Sequence, residues 1–424
     1  MSENIKSVIT CDLDGKIETF SKGAQKLFGY SADEIIGKAR VSDFSAGEIV
    51  LGHVVNWLAE SVEKGKWEGD SVFLHKDGHE MPCKIKITPT KDKNGNHIGY
   101  CGITTPLNNK TAASVRPNIS FATKIFCWMV IMRLPFLSAT IVPILLGATV
   151  ASRYVSVDWF YFALTMLGGS LLHIGTNTSN DYFDHTSGTD EANYNYMVPF
   201  SGGSRSIQMG LISAKGMLYL SMITFALSGL IGIPLIIKAG INILYLGFIG
   251  FLSGFFYTAP PFRFASRKGI GELLIGLNFG PLMVVGSFLV QTSGDLTHVF
   301  EAALAGIPIG LLVAAIVYVN QFPDHDGDKA TGKNNLVVVF GPEKARIGYV
   351  LLVVGAFVSI IVMALNGIFP MLSLITLFTS IISVYTIRTL YKYYNNRLLQ
   401  PANAGTIGLH FITGVFFCVG IWLG

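Results

Sequence analysis

The sequence predicts an α+β domain followed by an all-α membrane domain, because its composition changes sharply along the chain. Up to about residue 118 the chain is polar, charged and rich in turn-forming residues. After it come repeated apolar runs of about 20 residues, the length that crosses a bilayer as a helix. We therefore predict a soluble head at residues 1–106, a linker and interfacial segment at 107–124, and a membrane unit at 125–424.

The remaining composition excludes several classes of protein. The formal net charge is +4 and no nucleic-acid-binding motif is present. The five cysteines are odd in number and form no CxxC pair, which argues against a disulfide framework or a zinc site. The first sixteen residues contain no apolar core, so we expect no cleaved secretory signal.

The head begins with a strand, a tight turn and a second strand around residues 12–17. Residues 21–37 have the apolar spacing of a helical region. The sequences Lys76-Asp77-Gly78 and Lys93-Asn94-Gly95 predict hairpin turns between alternating segments. Strands, then helices, then a three-stranded antiparallel run predict a small α+β domain.

The head resembles a PAS domain over almost its full length. The resemblance implies that it binds a small ligand or dimerises, and passes a signal to an attached effector. The ligand is unknown: the flavin-adduct cysteine motif of light sensors is missing, and the head is equally well interpreted as a dimerisation or docking module with an empty core. A haem ligand and surface or turn positions are the alternatives for His53, His75, His79 and His97. The residues that carry the resemblance are Asp14-Gly15-Lys16-Ile17, Ser21 to Ala24, Leu27 to Ser31, Glu34 to Gly37, Trp67-Glu68-Gly69, Lys76-Asp77-Gly78 and Ile98-Gly99-Tyr100.

The membrane unit contains about nine predicted crossings. Lysine and arginine are concentrated in the loops on the side of the head, so the head is predicted to lie on the cytoplasmic side of the cell (inner) membrane. The same orientation places the C-terminus outside. The predicted crossings are about 125–151, 158–180, 215–237, 240–257, 270–291, 297–320, 345–366, 369–389 and 402–423.

A first acidic cluster ends the second crossing. Asn177, Asp181 and Asp184 are spaced four and three residues apart, so on a helix they share one face. Burying this face beside lipid is costly unless a cation or a partner compensates its charge.

A second acidic cluster, Asn320 to Asp328, ends the sixth crossing, four helices later. In a bundle with repeated halves, two such clusters can face each other across a cavity. Facing carboxylates suit Mg²⁺, which prefers oxygen ligands and substrate phosphates. Two such sites would neutralise a diphosphate and favour its departure. Basic residues on the same side add to this, namely Arg205, Arg263, Lys268 and Lys333.

Residues 125–424 resemble the UbiA superfamily of intramembrane prenyltransferases, which implies a UbiA-like helical bundle. The likeness is strongest to the menaquinone branch, the 1,4-dihydroxy-2-naphthoate polyprenyltransferases. Two departures leave the aromatic acceptor open: Asn334-Asn335 follows Lys333 where that branch has a Thr before Leu, and residues 201–205 match loosely. The matching segments are the run Arg133 to Gly147, Asn177 to Asp190, Tyr257 to Pro261, Lys268 to Glu272, Gly280-Pro281, Asn320 to Asp328 and Gly332-Lys333.

The UbiA resemblance implies a role for each candidate residue. Two Mg²⁺ ions would be held by Asp181, Asp184, Asp324 and Asp328, with Asp190 completing the first cluster or organising its loop. Tyr257 would stabilise an allylic cation through its ring. The residues implied to bind substrate are Asn177, Asn180, Arg205, Lys268, Asn320 and Lys333.

The sequence thus predicts Mg-dependent transfer of a polyprenyl group from its diphosphate to an aromatic acceptor, with the head as regulator. Its predicted partners are these two substrates and the lipid bilayer, with dimerisation through the PAS head and no nucleic acid. The alternative is a PAS-coupled membrane sensor or cation-binding transporter without transferase activity. Against it, no signalling output follows the helices, and the acidic clusters lie away from the midplane where transporters bind.

Overall fold

The computed structural model describes residues 5–197 and 200–424. They divide into two compact units. Unit 1 comprises Met1–Ile131 together with Arg205–Ser213, and unit 2 comprises Met132–Ser204 together with Ala214–Gly424.

Unit 1 contains a five-stranded antiparallel sheet in the order β2-β1-β5-β4-β3. The two predicted hairpin turns connect β3 to β4 and β4 to β5. Gly78 and Gly95 occupy the positive-φ positions of these turns, at φ 89° and 82°, where glycine meets no Cβ strain. The strands are β1 (Ser7–Asp12), β2 (Ile17–Phe20), β3 (Trp67–Leu74), β4 (Glu80–Lys91) and β5 (His97–Pro106).

Short helices enclose an aromatic core in unit 1. Phe28 at the end of α1 is fully buried, with its ring centroid 4.5 Å from that of Phe44 and 6.1 Å from that of Phe73. A PAS-like sheet with its helices, predicted from the turn and motif pattern, is confirmed. The helices are α1 (Lys22–Phe28), α2 (Ala32–Ile35), α3 (Gly47–Ile49), α4 (Val55–Lys64), α5 (Ala112–Val115) and α6 (Phe121–Ile131).

The predicted first crossing, 125–151, is two helices in the structure rather than one. Its first part belongs to α6, which groups with unit 1, as does the predicted linker. The helix breaks at Arg133, whose φ of 52° is left-handed, and Pro135 lies in the 3₁₀ turn that follows. A new helix, α7, then covers Ser138–Ala151.

Unit 2 is helical, and helix α14 lies at its centre. Ala305 and Ile309 of this helix belong to one apolar cluster, whereas Leu312 and Val319 belong to the other. The helices are α7 (Ser138–Ala151), α8 (Trp159–Thr186), α9 (Thr189–Ala192), α10 (Ala214–Ala239), α11 (Ile241–Phe255), α12 (Ile270–Leu277), α13 (Met283–Gln291), α14 (Val299–Ala330), α15 (Leu336–Phe340), α16 (Pro342–Leu365), α17 (Ser380–Tyr393) and α18 (Gln400–Leu423).

Seven helices of the described chain are long and apolar enough to cross a membrane. Two predicted crossings are not among these seven. The crossing 158–180 corresponds to α8, which ends in polar residues, and the crossing 240–257 corresponds to α11, which has only 15 residues. A multi-pass helical membrane unit is confirmed, while the count of nine stays a prediction. The seven are Leu134–Ala151, Ala214–Ala239, Ile270–Gln291, Val299–Ala330, Pro342–Leu365, Met371–Tyr393 and Arg397–Leu423.

Candidate active site

The two acidic clusters occupy the last turns of two long helices, α8 and α14. Asp181 and Asp184 lie on α8 and are buried, with 3% and 7% of their surface exposed. Asn320, Asp324 and Asp328 follow one another at four-residue intervals on α14 and so share a face. Several carboxylates buried on two helices require compensating positive charge or hydrogen bonds.

Lys333 supplies that compensation between the clusters. Its Nζ lies 3.2 Å from Asp184 Oδ2 and 3.7 Å from Asp328 Oδ1, so one ammonium group joins the two helices. Burial disfavours the charged form of Lys333, but the neighbouring carboxylates outweigh this effect and raise its pKa above the ordinary value. Lys333 is therefore protonated at neutral pH.

Arg133 compensates the first cluster from the other side. Its guanidinium pairs with Asp181 Oδ1, and the backbone N–H of Ser204 donates to the same oxygen over 3.2 Å. The left-handed turn that breaks the predicted first crossing is what places this arginine at the site. A Cβ on Gly203 would lie 2.8 Å from Asp181 Oδ1, so the loop approaches the carboxylate closely.

Amide groups hold the second cluster in place. Asn193 Nδ2 donates to Asp324 Oδ1 over 2.5 Å, and the backbone N–H of Gly202 donates to Asp324 Oδ2 over 3.1 Å. Asn335 Nδ2 donates to Asp328 Oδ2 over 2.7 Å. These bonds restrict each carboxylate to one orientation, as a preorganised binding site requires.

Asn320 is oriented by a residue from the last helix. Asn403 of α18 is fully buried, and its Nδ2 donates to Asn320 Oδ1 over 2.7 Å. The next residue of α14 also makes a side-chain hydrogen bond: Gln321 Nε2 donates to Glu272 Oε1 over 3.0 Å. Glu272 also accepts from the N–H of Leu336 and so anchors the loop that carries Lys333.

A polar cavity of about 180 Å³ lies between the clusters. Among the described residues, three buried atoms of this lining have no hydrogen-bonding partner: Asn177 Nδ2, Asn180 Oδ1 and Gln321 Oε1. Donors and acceptors without a protein partner that converge on one cavity can be satisfied by a polar ligand and its water. The candidate residues that line the cavity are Asn177, Asn180, Asp184, Asp190, Tyr257, Asn320, Asp324, Asp328 and Lys333.

An apolar cavity of about 360 Å³ adjoins the polar one. Both are lined by Tyr257, Phe279 and His173, so these side chains form their common wall. His173 Nδ1 is 2.8 Å from the hydroxyl of Thr140, and its ring lies 4.7 Å from that of Phe279. The larger cavity continues between α8, α10, α11 and α13 past Phe225, Gly247 and Phe251.

Three predicted site residues, Asp181, Lys268 and Arg205, are not part of the lining of the polar cavity. Asp181 is buried beside the cavity and pairs with Arg133. Lys268 is exposed, and its backbone N–H donates to Asn334 O over 2.9 Å. Arg205 begins the short segment that groups with unit 1. The roles of Lys268 and Arg205 in substrate binding remain predictions.

Sequence reasoning missed four residues that the fold brings to the site: Arg133, Asn193 and Asn335, which contact aspartates, and Asn403, which contacts Asn320. An arginine before Leu-Pro in an otherwise apolar run, Arg133, was the one available signal. Nothing in the spacing of Asn193 or Asn403 indicated a site, because both act across long stretches of chain.

The donor set fits a hard divalent cation. Carboxylate and amide oxygens converge on the cavity, and Mg²⁺ binds such oxygens together with water and substrate phosphates. Asp181 Oδ2 and Asn180 Oδ1 offer acceptors that lack a partner in the described chain. With Lys333 and Arg133 beside them, the site can hold a multiply charged anion and its cations together.

The two units match two different families of known proteins. Residues 140–413 match the model of the UbiA prenyltransferase family, and residues 6–105 match that of the PAS domain. A chain described as the apo structure of a UbiA homolog from Aeropyrum pernix K1 has a TM-score of 0.52 at 14% identity, covering 66% of this chain and 97% of that one, which supports the fold alone.

Two relatives share the name 1,4-dihydroxy-2-naphthoate octaprenyltransferase. The protein of Bacillus subtilis (strain 168) is 30% identical over 209 residues, which cover 49% of this chain and 64% of the relative. The protein of Escherichia coli (strain K12) is 26% identical over 304 residues, which cover 70% of this chain and 95% of the relative.

Proposed function

Because the chain belongs to the UbiA prenyltransferase family, we propose that it transfers a polyprenyl group from polyprenyl diphosphate to an aromatic acceptor. The observation that carries the proposal is the polar cavity between Asp184 and Asp328, with Lys333 bridging them and an apolar cavity adjoining it. One cavity suits a charged leaving group and the other suits a hydrocarbon chain.

The acidic clusters would hold Mg²⁺ together with the diphosphate. Asp181 and Asp184 would bind from α8, Asp324 and Asp328 from α14, and we propose two ions by analogy with the two clusters. Bound Mg²⁺ would neutralise negative charge as the diphosphate leaves. Asp190 lines the same cavity and is proposed to complete the first cluster.

The basic and amide side chains would position the diphosphate. Lys333 is placed to contact its oxygens from the middle of the cavity, and Arg133 from the side of Asp181. Asn177 Nδ2, which lacks a partner in the described chain, is a free donor aimed at the same space. Charge-assisted contacts of this kind strengthen in a site that excludes water.

The prenyl chain would occupy the apolar cavity, with its reactive carbon beside Tyr257. The bond from this carbon to the diphosphate breaks, and the diphosphate keeps the electron pair. A ring carbon of the acceptor forms the new bond and then releases the group it carried, a proton or the carboxylate as CO₂, so that the ring regains its aromaticity. Tyr257 and Phe279 lie on the wall between the cavities. Their ring faces would stabilise positive charge on the allylic carbon, and the apolar wall would keep water from it.

We propose 1,4-dihydroxy-2-naphthoate as the acceptor, as in menaquinone biosynthesis. The Bacillus subtilis and Escherichia coli relatives, which are named for this acceptor, support the choice. We also place the polar site and the PAS unit on the cytoplasmic side of the inner membrane, because lysine and arginine are concentrated in the loops on that side.

We further propose that the PAS unit regulates transfer and that it dimerises. The loop that ends at Ser204 donates hydrogen bonds to Asp181 and Asp324, and the chain then continues directly into the segment Arg205–Ser213 of unit 1. Within unit 1 the N–H of Gly47 donates to Met209 O over 2.9 Å. A change in the PAS unit would therefore reach the loop that holds both clusters.

The test is transfer by purified membranes from a radiolabelled polyprenyl diphosphate to 1,4-dihydroxy-2-naphthoate. We expect Mg-dependent release of diphosphate and a prenylated naphthoquinol, detected by mass spectrometry as the quinone after oxidation by air, both abolished in the Asp181→Ala, Asp324→Ala double variant. Equal diphosphate release by the double variant would refute the transferase site. Cation-dependent transport or signalling without prenyl transfer would instead support the sensor or transporter alternative.

A further inference from the structure

A group of three potential metal ligands lies at the turn between β3 and β4 in unit 1, far in sequence from the acidic clusters. His75, Asp77 and His79 each contribute a donor atom, and these atoms lie within 4.8 Å of one another. Asp77 Oδ1 is 3.0 Å from His75 Nδ1 and 2.5 Å from His79 Nδ1. The two imidazole rings stack with their centroids 4.6 Å apart.

The turn is held in this shape by its own backbone. His75 N donates to His79 O over 3.0 Å, and Gly78 N donates to His75 O over 2.8 Å. His79 N also donates to Asp77 Oδ1 over 3.0 Å. The three side chains are thus brought together by local structure, so little ordering is needed for an ion to bind.

The contacts of His75 indicate which nitrogen faces the group. A Cβ on Gly29 would lie 2.4 Å from His75 Nε2, so this nitrogen is directed at Gly29 at the end of α1. The other nitrogen, Nδ1, lies 3.3 Å from the backbone N of Asp77 and so faces the group. The same nitrogen lies 3.0 Å from Asp77 Oδ1, which is an acceptor. A proton can join these two atoms in the free site, and a divalent cation would replace it.

We propose that His75, Asp77 and His79 bind a divalent transition-metal ion of the zinc, nickel or copper class. Imidazole with one carboxylate suits these metals, whereas Mg²⁺ prefers oxygen ligands. Bond lengths of about 2.0–2.2 Å separate neighbouring donors of a tetrahedral zinc site by about 3.3 Å. The observed separations of 2.5 and 3.0 Å need only a small outward shift of the side chains to reach that geometry.

The site is open and exchangeable rather than closed. The side chains of Asp77 and His79 are 63% and 57% exposed, so water completes the coordination and the ion has a direct path from solvent. A bound ion therefore reports the metal content of the compartment that the PAS unit faces.

An ion at this turn acts on the core of unit 1. Lys76 N donates to Phe28 O over 3.0 Å, and Lys76 Nζ lies 2.5 Å from Glu34 Oε1. Cross-linking the residues on either side of Lys76 fixes the turn against the end of α1, where Phe28 enters the aromatic core. This site supplies the PAS unit with a chemical signal and does not depend on the proposed transferase function.

The test is metal binding by the full-length protein in detergent, stripped with a chelator and then kept in excess Mg²⁺ to occupy the acidic clusters. Calorimetric titration with Ni²⁺ or Zn²⁺ is expected to give one equivalent per chain with a dissociation constant on the order of micromolar, and Cu²⁺ is expected to show two nitrogen ligands by electron paramagnetic resonance. The His75→Gln, His79→Gln variant should lose about tenfold or more in affinity.

The matched control is His53→Gln, His97→Gln, which removes two other histidines of the same unit. His53 contacts Asn118 O and His97 contacts Gly99 O, so this variant should bind Ni²⁺ as the wild type does. Unchanged binding by the His75→Gln, His79→Gln variant, or no binding by the wild type at 100-fold the expected dissociation constant, would overturn the proposal. If the double variant folds poorly, the single Asp77→Asn change, on an exposed side chain, tests the site instead. Full metal affinity in the Asp77→Asn variant would also count against the proposed site.

Discussion

Replacing Lys333 by Gln removes the ammonium that joins the two acidic helices. Its Nζ lies 3.2 Å from Asp184 and 3.7 Å from Asp328. Glutamine keeps a similar length and a hydrogen-bond donor, so the change isolates the charge. The two carboxylates then face each other across the cavity without a cation.

The structure sets the size of the effect. At these distances and an effective dielectric constant of about 20, the two attractions are roughly 5 and 4.5 kcal/mol, before the cost of burying the ions is subtracted. Removing one partner of a buried ion pair typically costs about 3–5 kcal/mol. Loss of one preorganised contact to developing charge lowers kcat by about 10²- to 10³-fold, and we expect a decrease of that order.

The assay measures prenyl transfer and thermal unfolding of the same preparations. Transfer is followed with saturating polyprenyl diphosphate, and unfolding with and without Mg²⁺. We expect Lys333→Gln to lower the unfolding temperature without Mg²⁺, and added Mg²⁺ to restore part of it, because the ion replaces the missing positive charge between Asp184 and Asp328.

Lys329→Gln is the matched control. It removes the same charge from an exposed position in the last turn of α14, where activity should stay close to that of the wild type. Activity of Lys333→Gln within about threefold of the control would show that prenyl transfer does not need the charge of Lys333.

Three further predictions concern more distant parts of the chain. Asn403→Leu removes the donor that orients Asn320 and should reduce kcat about tenfold or more. Asn403→Gln keeps an amide donor and should retain part of the activity. Equal rates for the two variants would contradict a positioning role for Asn403. Gly247 lines the apolar cavity, and a Cβ there meets no atom within 4 Å, so Gly247→Phe should shorten the prenyl chains accepted, measured by competition between diphosphates of different lengths. A Cβ at Gly47 would lie 2.7 Å from Met209 O, so Gly47→Val should accelerate amide exchange across 205–213 by about tenfold, and unchanged exchange would show that this contact does not hold the segment.

The acidic clusters were predictable because helix periodicity determines which residues share a face. The intervals of Asn177, Asp181 and Asp184 place them together on any helix, and burial in a membrane unit makes such carboxylates conspicuous. The same argument did not locate Arg133, because its position depends on a single left-handed residue that ends α6. It also did not show that Lys268 is exposed whereas only 17% of the Lys333 side chain is exposed.

Local and periodic features were therefore determined by the sequence alone: the PAS hairpin turns at Gly78 and Gly95, the apolar lengths of the membrane helices, and the spacing of the aspartates. The tertiary structure decided which distant groups meet, among them Lys333 with Asp184 and Asn403 with Asn320. The physical reason is range: backbone turns and helix faces arise from neighbours a few residues apart. A contact between residues more than eighty positions apart depends instead on how whole helices pack.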